Sequence, residues 1–431
     1  MSGALNFEPG LESAKDMDCA DELAPFRDRF HIPRMADGSE ELYLCGNSLG
    51  LQPKSVGDYV NAELDAWRRL GVKGHFEGPH PWMPYHELLA PAMAALVGAE
   101  PAEVVAMNTL TVNLHLMMVS FYRPTDERHA ILIEEHAFPS DHHAVESQIR
   151  YHGYDPVRSL RLVRPRAGEA LIRDDDICDL IEREGESIAL VLLPGVQYYT
   201  GQVFDMAEIA RTARAKGCAV GFDLAHAVGN VPLRLHDWGP DFAVWCSYKY
   251  LNSGPGSVAG CFVHERHAND GLLPRFAGWW GHDKTTRFRM APDFTPIPGA
   301  EGWQLSNPPI LSLAAVRASL DLFAEAGYIA PLRGKSERLT GYLEWLLAER
   351  LGERIEIITP HEPHRRGCQL SLKVTRGSGR ALFDRLEAAG VVGDWREPDV
   401  IRVAPTPLYN RFEDCWRFVE TLRNMLEGPD G

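Results

Sequence analysis

Between Val104 and Val263 short apolar runs alternate with longer stretches of helical periodicity. The runs Val104–Met107, Ala130–Ile133, Ile188–Leu193, Ala219–Phe222, Phe242–Cys246 and Ser257–Val263 have strand length and few polar interruptions. Between them, Thr111–Tyr122, Ser140–His152, Asp174–Glu184 and Met206–Lys216 place apolar residues at helical spacing. Continuous apolar strands alternating with helices predict an α/β fold, with a mostly parallel sheet covered on both faces. Ligands of such sheets sit beyond the carboxyl ends of the strands. After Pro309 the pattern changes. Ile310–Ala326 and Leu332–Leu351 predict long helices, and Ile355–Ile358, Gln369–Val374 and Val400–Val403 predict strands. Ala381–Ala389 and Arg411–Leu426 predict two further helices. This is the signature of a smaller α+β domain.

Ahead of the alternating region, residues 1–40 are charged and predict a helical arm, and Leu42–Leu51 is turn-rich. Ser55–Leu70 carries Val56, Val60, Leu64 and Trp67 on one helical face, and Leu88–Val97 predicts another helix. The Gly-, His- and Pro-rich stretch Val72–Pro84 predicts a long loop, a kind of segment that is often functional. The expected division is an arm and part of the small domain over 1–70, a large α/β domain over 71–310, and a small domain over 311–431. A net charge of −16 argues against nucleic acid as a partner, because phosphate backbones demand basic patches. Eight scattered cysteines form no Cys-x-x-Cys pair, which points away from a zinc site or a disulfide framework. No segment has the length and apolarity of a membrane span, so a cytoplasmic protein with no metal is expected.

The chemistry concentrates in Ser247-Tyr248-Lys249-Tyr250-Leu251-Asn252, which follows the apolar run Phe242–Cys246. Another such run ends in Asp223, with His226 three residues on. A lysine and an aspartate at the ends of buried strands are what pyridoxal phosphate requires. The amine forms a Schiff base with the cofactor aldehyde, and the carboxylate keeps the pyridine nitrogen protonated. A phosphate needs a cradle, and Met107-Asn108-Thr109-Leu110-Thr111 lies between a strand and a helix expected to begin near Val112, with Thr111 as its cap. A plain helix cap would look the same. The segment Glu134-Glu135-His136-Ala137-Phe138-Pro139-Ser140-Asp141 offers a ring to stack on the pyridine, or equally a hydrophobic staple. Gln197-Tyr198-Tyr199-Thr200-Gly201 follows a strand, where a tyrosine can carry protons, donate to a phosphate or line a core edge. Arg402, inside the apolar strand Val400–Val403, needs a carboxylate, which either an amino-acid substrate or a structural acid supplies.

Beyond these residues, Cys45-Gly46-Asn47-Ser48-Leu49-Gly50, Gly278-Trp279-Trp280-Gly281-His282 and Ser306-Asn307-Pro308-Pro309 resemble signature blocks of the kynureninases. Asp223-Leu224-Ala225-His226-Ala227 and Ser247–Asn252 also match, although the lysine block alone indicates only the broader fold type I superfamily. The resemblance implies a seven-stranded, mostly parallel large domain. It also implies hydrolysis of L-kynurenine or 3-hydroxy-L-kynurenine to L-alanine and an anthranilate, in tryptophan catabolism. Carried over by position, Lys249 is the Schiff-base lysine and Asp223 the pyridine partner. Leu110, Thr111, Pro139, Ser140, Asp141, His226, Tyr248, Trp279 and Asn307 surround the cofactor, and Phe138 stacks on it. Tyr199 serves proton transfer, and Arg402 holds the substrate carboxylate. Ser48, His75, Trp280 and Asn307 shape the aryl pocket, with Trp279 and Asn307 arriving from a second subunit of a homodimer.

Two positions depart from the family pattern. Pro194 stands where many members carry a hydroxyl residue, which removes one phosphate donor. Trp280 is larger than the phenylalanine of animal relatives, so the choice between kynurenine and its 3-hydroxy form stays open. A cysteine desulfurase or class V aminotransferase would share the lysine, the aspartate and the histidine. A desulfurase also needs a reactive cysteine on a mobile loop, a role that fits neither Cys368 nor Cys415. A regulatory, cofactor-binding protein would need an added DNA-binding module, and this acidic chain has no basic patch for one.

Overall fold

The computed structural model describes residues 7–427. Seven strands form the large sheet: β1 (Val104–Ala106), β2 (Ala130–Glu134), β3 (Leu160–Val163), β4 (Ile188–Pro194), β5 (Ala219–Asp223), β6 (Phe242–Trp245) and β7 (Gly260–Val263). Their order is β1-β7-β6-β5-β4-β2-β3. The pairs from β6 through β5, β4 and β2 to β3 are parallel, whereas β7 runs antiparallel to both neighbours. The apolar runs behave as their composition dictates. Ile188 to Leu193 are all buried, because helices cover both faces. Each isoleucine, leucine and valine among them contributes about 1.5–3 kcal/mol of burial.

Two apolar layers sandwich this sheet. One gathers Leu96, Val97, Leu193, Phe222, Leu320 and Phe323, and the other Leu114, Met117, Ile133, Val145, Phe242 and Trp303. A third core joins Leu339, Leu343, Leu370, Phe383, Val403 and Phe418 to Ala14, Leu42 and Leu44 from the start of the chain. It packs on an antiparallel sheet ordered Asp394–Arg396, Val400–Val403, Leu370–Val374, Ile355–Ile357. Leu42–Tyr43 pairs in parallel with Val391–Val392, which ties the early segment to this unit.

Several expectations need correction. The arm is a helix only over Leu11–Cys19, with a 3-10 turn at Ala24–Arg29, and residues 1–6 of it lie outside the described region. Strand β3 was not anticipated, since Leu160-Arg161-Leu162-Val163 is only half buried at the sheet edge and carries a charge. The helix expected from Val112 begins at Leu110, so its N-cap is Thr109 and Thr111 sits inside the first turn. Residues 257–259 precede β7 without joining it. Among the described residues no helix is long and apolar enough to cross a membrane.

Candidate active site

Three carboxyl ends of the sheet lie side by side. In the parallel register Pro194 of β4 pairs with Asp223 of β5, and Asp223 with Val244 of β6. Just beyond β6 the chain turns through Ser247, Tyr248 and Lys249, so the lysine meets the aspartate across one cleft. The far wall comes from two helix starts. Leu110 and Thr111 open the helix Leu110–Phe121, while Ser140 and Asp141 open the helix Pro139–Tyr151. Neither helix has a side-chain cap, so first-turn N–H groups remain available to a ligand, and both dipoles favour an anion there. The hydroxyls of Thr111 and Ser140 meet at 2.7 Å between the two helix starts.

The electrostatics separate the polar groups. Asp223 is 7% exposed and accepts a hydrogen bond from the Ala225 N–H at 2.8 Å. Asp141, equally buried, donates to Asp223. Burial and that neighbour hold Asp141 well above the usual carboxylate range, so Asp141 keeps the proton and Asp223 the charge. Lys249 Nζ lies 3.1 Å from His226 Nε2, and burial followed by the lysine's charge depresses the histidine, leaving it neutral. The Phe138 ring stands 5.9 Å from the same ammonium.

The site also shows unmet demand. Among the described residues, His226 Nδ1 and Asp141 Oδ1 are buried without a hydrogen-bond partner. Orphaned buried polar atoms, uncapped helix starts, an aromatic wall and a lysine–aspartate pair together fit pyridoxal phosphate. Leu110, Thr111 and Ser140 would hold the phosphate, Phe138 the ring face, Asp223 the ring nitrogen and Lys249 the aldehyde carbon. Pro194 lines this cleft and donates no hydrogen bond from its backbone.

The lysine loop rests on a distant segment. The Gly50 N–H donates to the Tyr248 carbonyl at 2.8 Å, and a Cβ on Gly50 would meet the Lys249 carbonyl at 2.3 Å. Only glycine permits that approach. The neighbouring Asn47 side chain donates to Gln369 at 3.0 Å and so links this segment to the small sheet.

Other expected residues lie outside the cleft of a single chain. Ser48 is half-buried and its N–H donates to the Cys45 carbonyl at 3.0 Å. Pro139 is exposed at the first position of its helix. The Tyr199 hydroxyl reaches Asp399 at 3.4 Å, and burial with that carboxylate pushes it up to about 12. Arg402 is fully buried, donating to Asp394 and to the Tyr198 carbonyl, each at 2.6 Å. Trp280 is buried against the Arg287 guanidinium at 4.5 Å, and its indole N–H has no partner among the described residues. His75 packs edge-on to Trp82 at 5.3 Å, while Trp279 and Asn307 are exposed.

Tyr198 and Glu134 are among the lining residues that the sequence reading does not name as site residues. Tyr198 places its ring edge-on to Phe138 at 5.2 Å, with the Arg396 and Arg402 guanidinia each 5.9 Å from its centre. Glu134 closes β2 inside the cleft and is 3% exposed. A charge ending an apolar run, the cue that marked Asp223, points to Glu134 and Glu135 alike.

Comparison with known proteins narrows the assignment. Residues 332–422 match the family model described as the kynureninase C-terminal domain. A kynureninase of Koribacter versatilis is 61% identical over 417 residues, covering 97% of this chain and 98% of that protein. One from Myxococcus xanthus is 59% identical over 417 residues, covering 96% of this chain and 97% of the relative. Among solved structures, the cysteine desulfurase CsdA of Escherichia coli superposes with a TM-score of 0.73 at 16% identity, covering 94% and 98% of the two chains. C-DES, solved with glycine covalently linked to its PLP cofactor, gives 0.75 at 17% identity, covering 92% and 99%. These likenesses establish the fold, a large mixed seven-stranded α/β sheet. The two solved structures share the architecture at low identity, whereas the two relatives near 60% identity along nearly the whole chain are kynureninases: the chain belongs to the kynureninase family.

Proposed function

We propose that this protein hydrolyses the Cβ–Cγ bond of L-kynurenine or 3-hydroxy-L-kynurenine, releasing L-alanine and the corresponding anthranilate, with pyridoxal phosphate bound in the cleft. The observation that carries this is the meeting of Lys249, Asp223 and two uncapped helix starts in one buried site of a chain from this family. When bound, the group supplies an electron sink for charge developing on an amino-acid substrate joined through its amine. The protein's residues do the rest. Asp223, the one anion of the Asp141–Asp223 pair, would supply the counter-charge to the ring nitrogen. Lys249, once its amine is free, carries a proton between substrate carbons, and neutral His226 at 3.1 Å accepts its hydrogen bond. Water adds to the γ-carbonyl of the substrate, the Cβ–Cγ bond breaks with its electron pair left on Cβ, and a proton taken up at Cβ gives L-alanine while the acyl fragment leaves as the anthranilate.

Arg402 receives the substrate carboxylate in this reading, which requires its fork to be shared with Asp394. Tyr199 serves proton transfer, and Ser48, His75, Trp280 and Asn307 shape the aryl pocket. Trp279 and Asn307 act from the second subunit of a homodimer. Their exposure in one chain supports this, as does the apolar surface of Phe76, Phe288 and Met290 nearby. All eight cysteines are free, which supports a reducing, cytoplasmic setting. The test is incubation with kynurenine and with 3-hydroxykynurenine, monitoring the fluorescent anthranilate. Absence of product from both overturns the assignment.

A further inference from the structure

Glu134 is a buried titratable group to which the proposed mechanism gives no task. It is the last residue of β2, 3% exposed, and it lines the cleft beside Asp223 and Tyr198. No cation lies within ion-pair distance of its carboxyl among the described residues, whereas its neighbour Glu135 faces outward and pairs with Arg164. The groups around it are mostly acids or neutral donors. Asp223 and Asp141 face it across the cleft, with Tyr198 and Tyr248 on the flanking walls. The cations Lys249, Arg396 and Arg402 are engaged by His226 and Asp394. An isolated buried carboxylate is expensive, and a second anion beside Asp223 more so. Burial first, then the Asp223 charge, push Glu134 up to about 8.

We propose that Glu134 is a positioning residue that stands in the cleft as an uncharged acid, so that Asp223 remains the single anion facing the bound ring. Three carboxyls then carry one charge. Asp141 gives its hydrogen to Asp223, and Glu134 offers a neutral donor at the same end of the cleft. A ligand that brings a protonated ring nitrogen finds one matched counter-charge there rather than two or three. The proposal rests on the cofactor reading given above and refines the role of its pyridine end.

The test separates the two claims. Infrared spectroscopy of the cofactor-free protein at neutral pH should show a protonated carboxylic acid band that Glu134→Gln removes. That measurement needs no cofactor and no activity. In the loaded protein, Glu134→Gln should keep cofactor affinity within about twofold of the parent, and Glu134→Ala should lose about tenfold. The visible band of the loaded parent should shift as Glu134 loses its proton on raising the pH, and the glutamine variant should not shift. An infrared spectrum that Glu134→Gln leaves unchanged overturns the proposal, as does a glutamine variant as weak as the alanine variant. Failure of the parent protein to bind pyridoxal phosphate at all would overturn the cofactor reading and leave the infrared result standing.

Discussion

Arg402 carries two loads, and removing it should reveal both. Its side chain is wholly buried and donates at 2.6 Å to Asp394 and at 2.6 Å to the Tyr198 carbonyl. Asp394 is itself only 10% exposed, and its other cation is Arg396 at 3.0 Å. Arg402→Ala therefore leaves a buried carboxylate with one partner in place of two. Breaking a buried pair costs about 3–5 kcal/mol. The retained Arg396 holds the loss near the lower end, about 3 kcal/mol. With an unfolding entropy of about 2 cal/mol/K per residue, a chain of this length should melt about 3–4 °C lower. If the fork also receives the substrate carboxylate, KM rises by about 2–4 kcal/mol of lost charge-assisted binding. Differential scanning fluorimetry and steady-state kinetics read the two effects separately. Asp394→Asn is the control: it lowers the melting temperature but leaves the guanidinium free, so KM should stay near its starting value. An Arg402→Ala protein with parental melting and parental KM refutes the reasoning. A rise in KM for Asp394→Asn equal to that for Arg402→Ala would show that the pair acts only as scaffold.

Lys249→Ala should abolish the visible absorbance of the cofactor-loaded protein, and an unchanged spectrum would remove the lysine from its role. Gly50→Ala sets a Cβ at 2.3 Å from the Lys249 carbonyl and 2.8 Å from Asn252 Cα. Both are backbone atoms, so the segment must shift at about 1–3 kcal/mol, and cofactor affinity measured by fluorescence should fall although no lining residue has changed. The Glu134 carboxyl titrates near 8 when folded against an ordinary value of 4.5. The folded state therefore holds its proton after the unfolded chain has released it, and stability should decline as pH rises through that window. Denaturant midpoints of the parent and of Glu134→Gln should differ in this slope, and parallel slopes would contradict the assignment.

The parallel sheet was legible because burial on both faces leaves nothing polar in the strands. The runs at Ile188 and Ala219 could be read from composition alone. The strand at Leu160 was not, since half-burial at an edge allows Arg161 and blurs the run. The helix start at Leu110 was misplaced by two residues because Thr109 and Thr111 are equally good caps in sequence, and only backbone geometry distinguishes them.

The same limit explains which site residues could be found. Lys249 and Asp223 announced themselves as charges at the ends of apolar runs, a placement too costly to be idle. Glu134 obeys that rule, but Glu135 follows it at once, and the sequence does not say which of the two turns inward. Tyr198 and Tyr199 pose the identical ambiguity. Neighbours along an irregular turn point different ways, and here their rings sit 6.3 Å apart at 69°, one in the cleft and one on Asp399. Family resemblance named Tyr199, and geometry adds Tyr198 beside it. The Gly50 contact lies beyond both kinds of inference, because what forbids a side chain there is a carbonyl 199 positions away in sequence, that of Lys249. Position along the chain therefore marks the chemical groups, and the packing of separate segments decides what each of them faces.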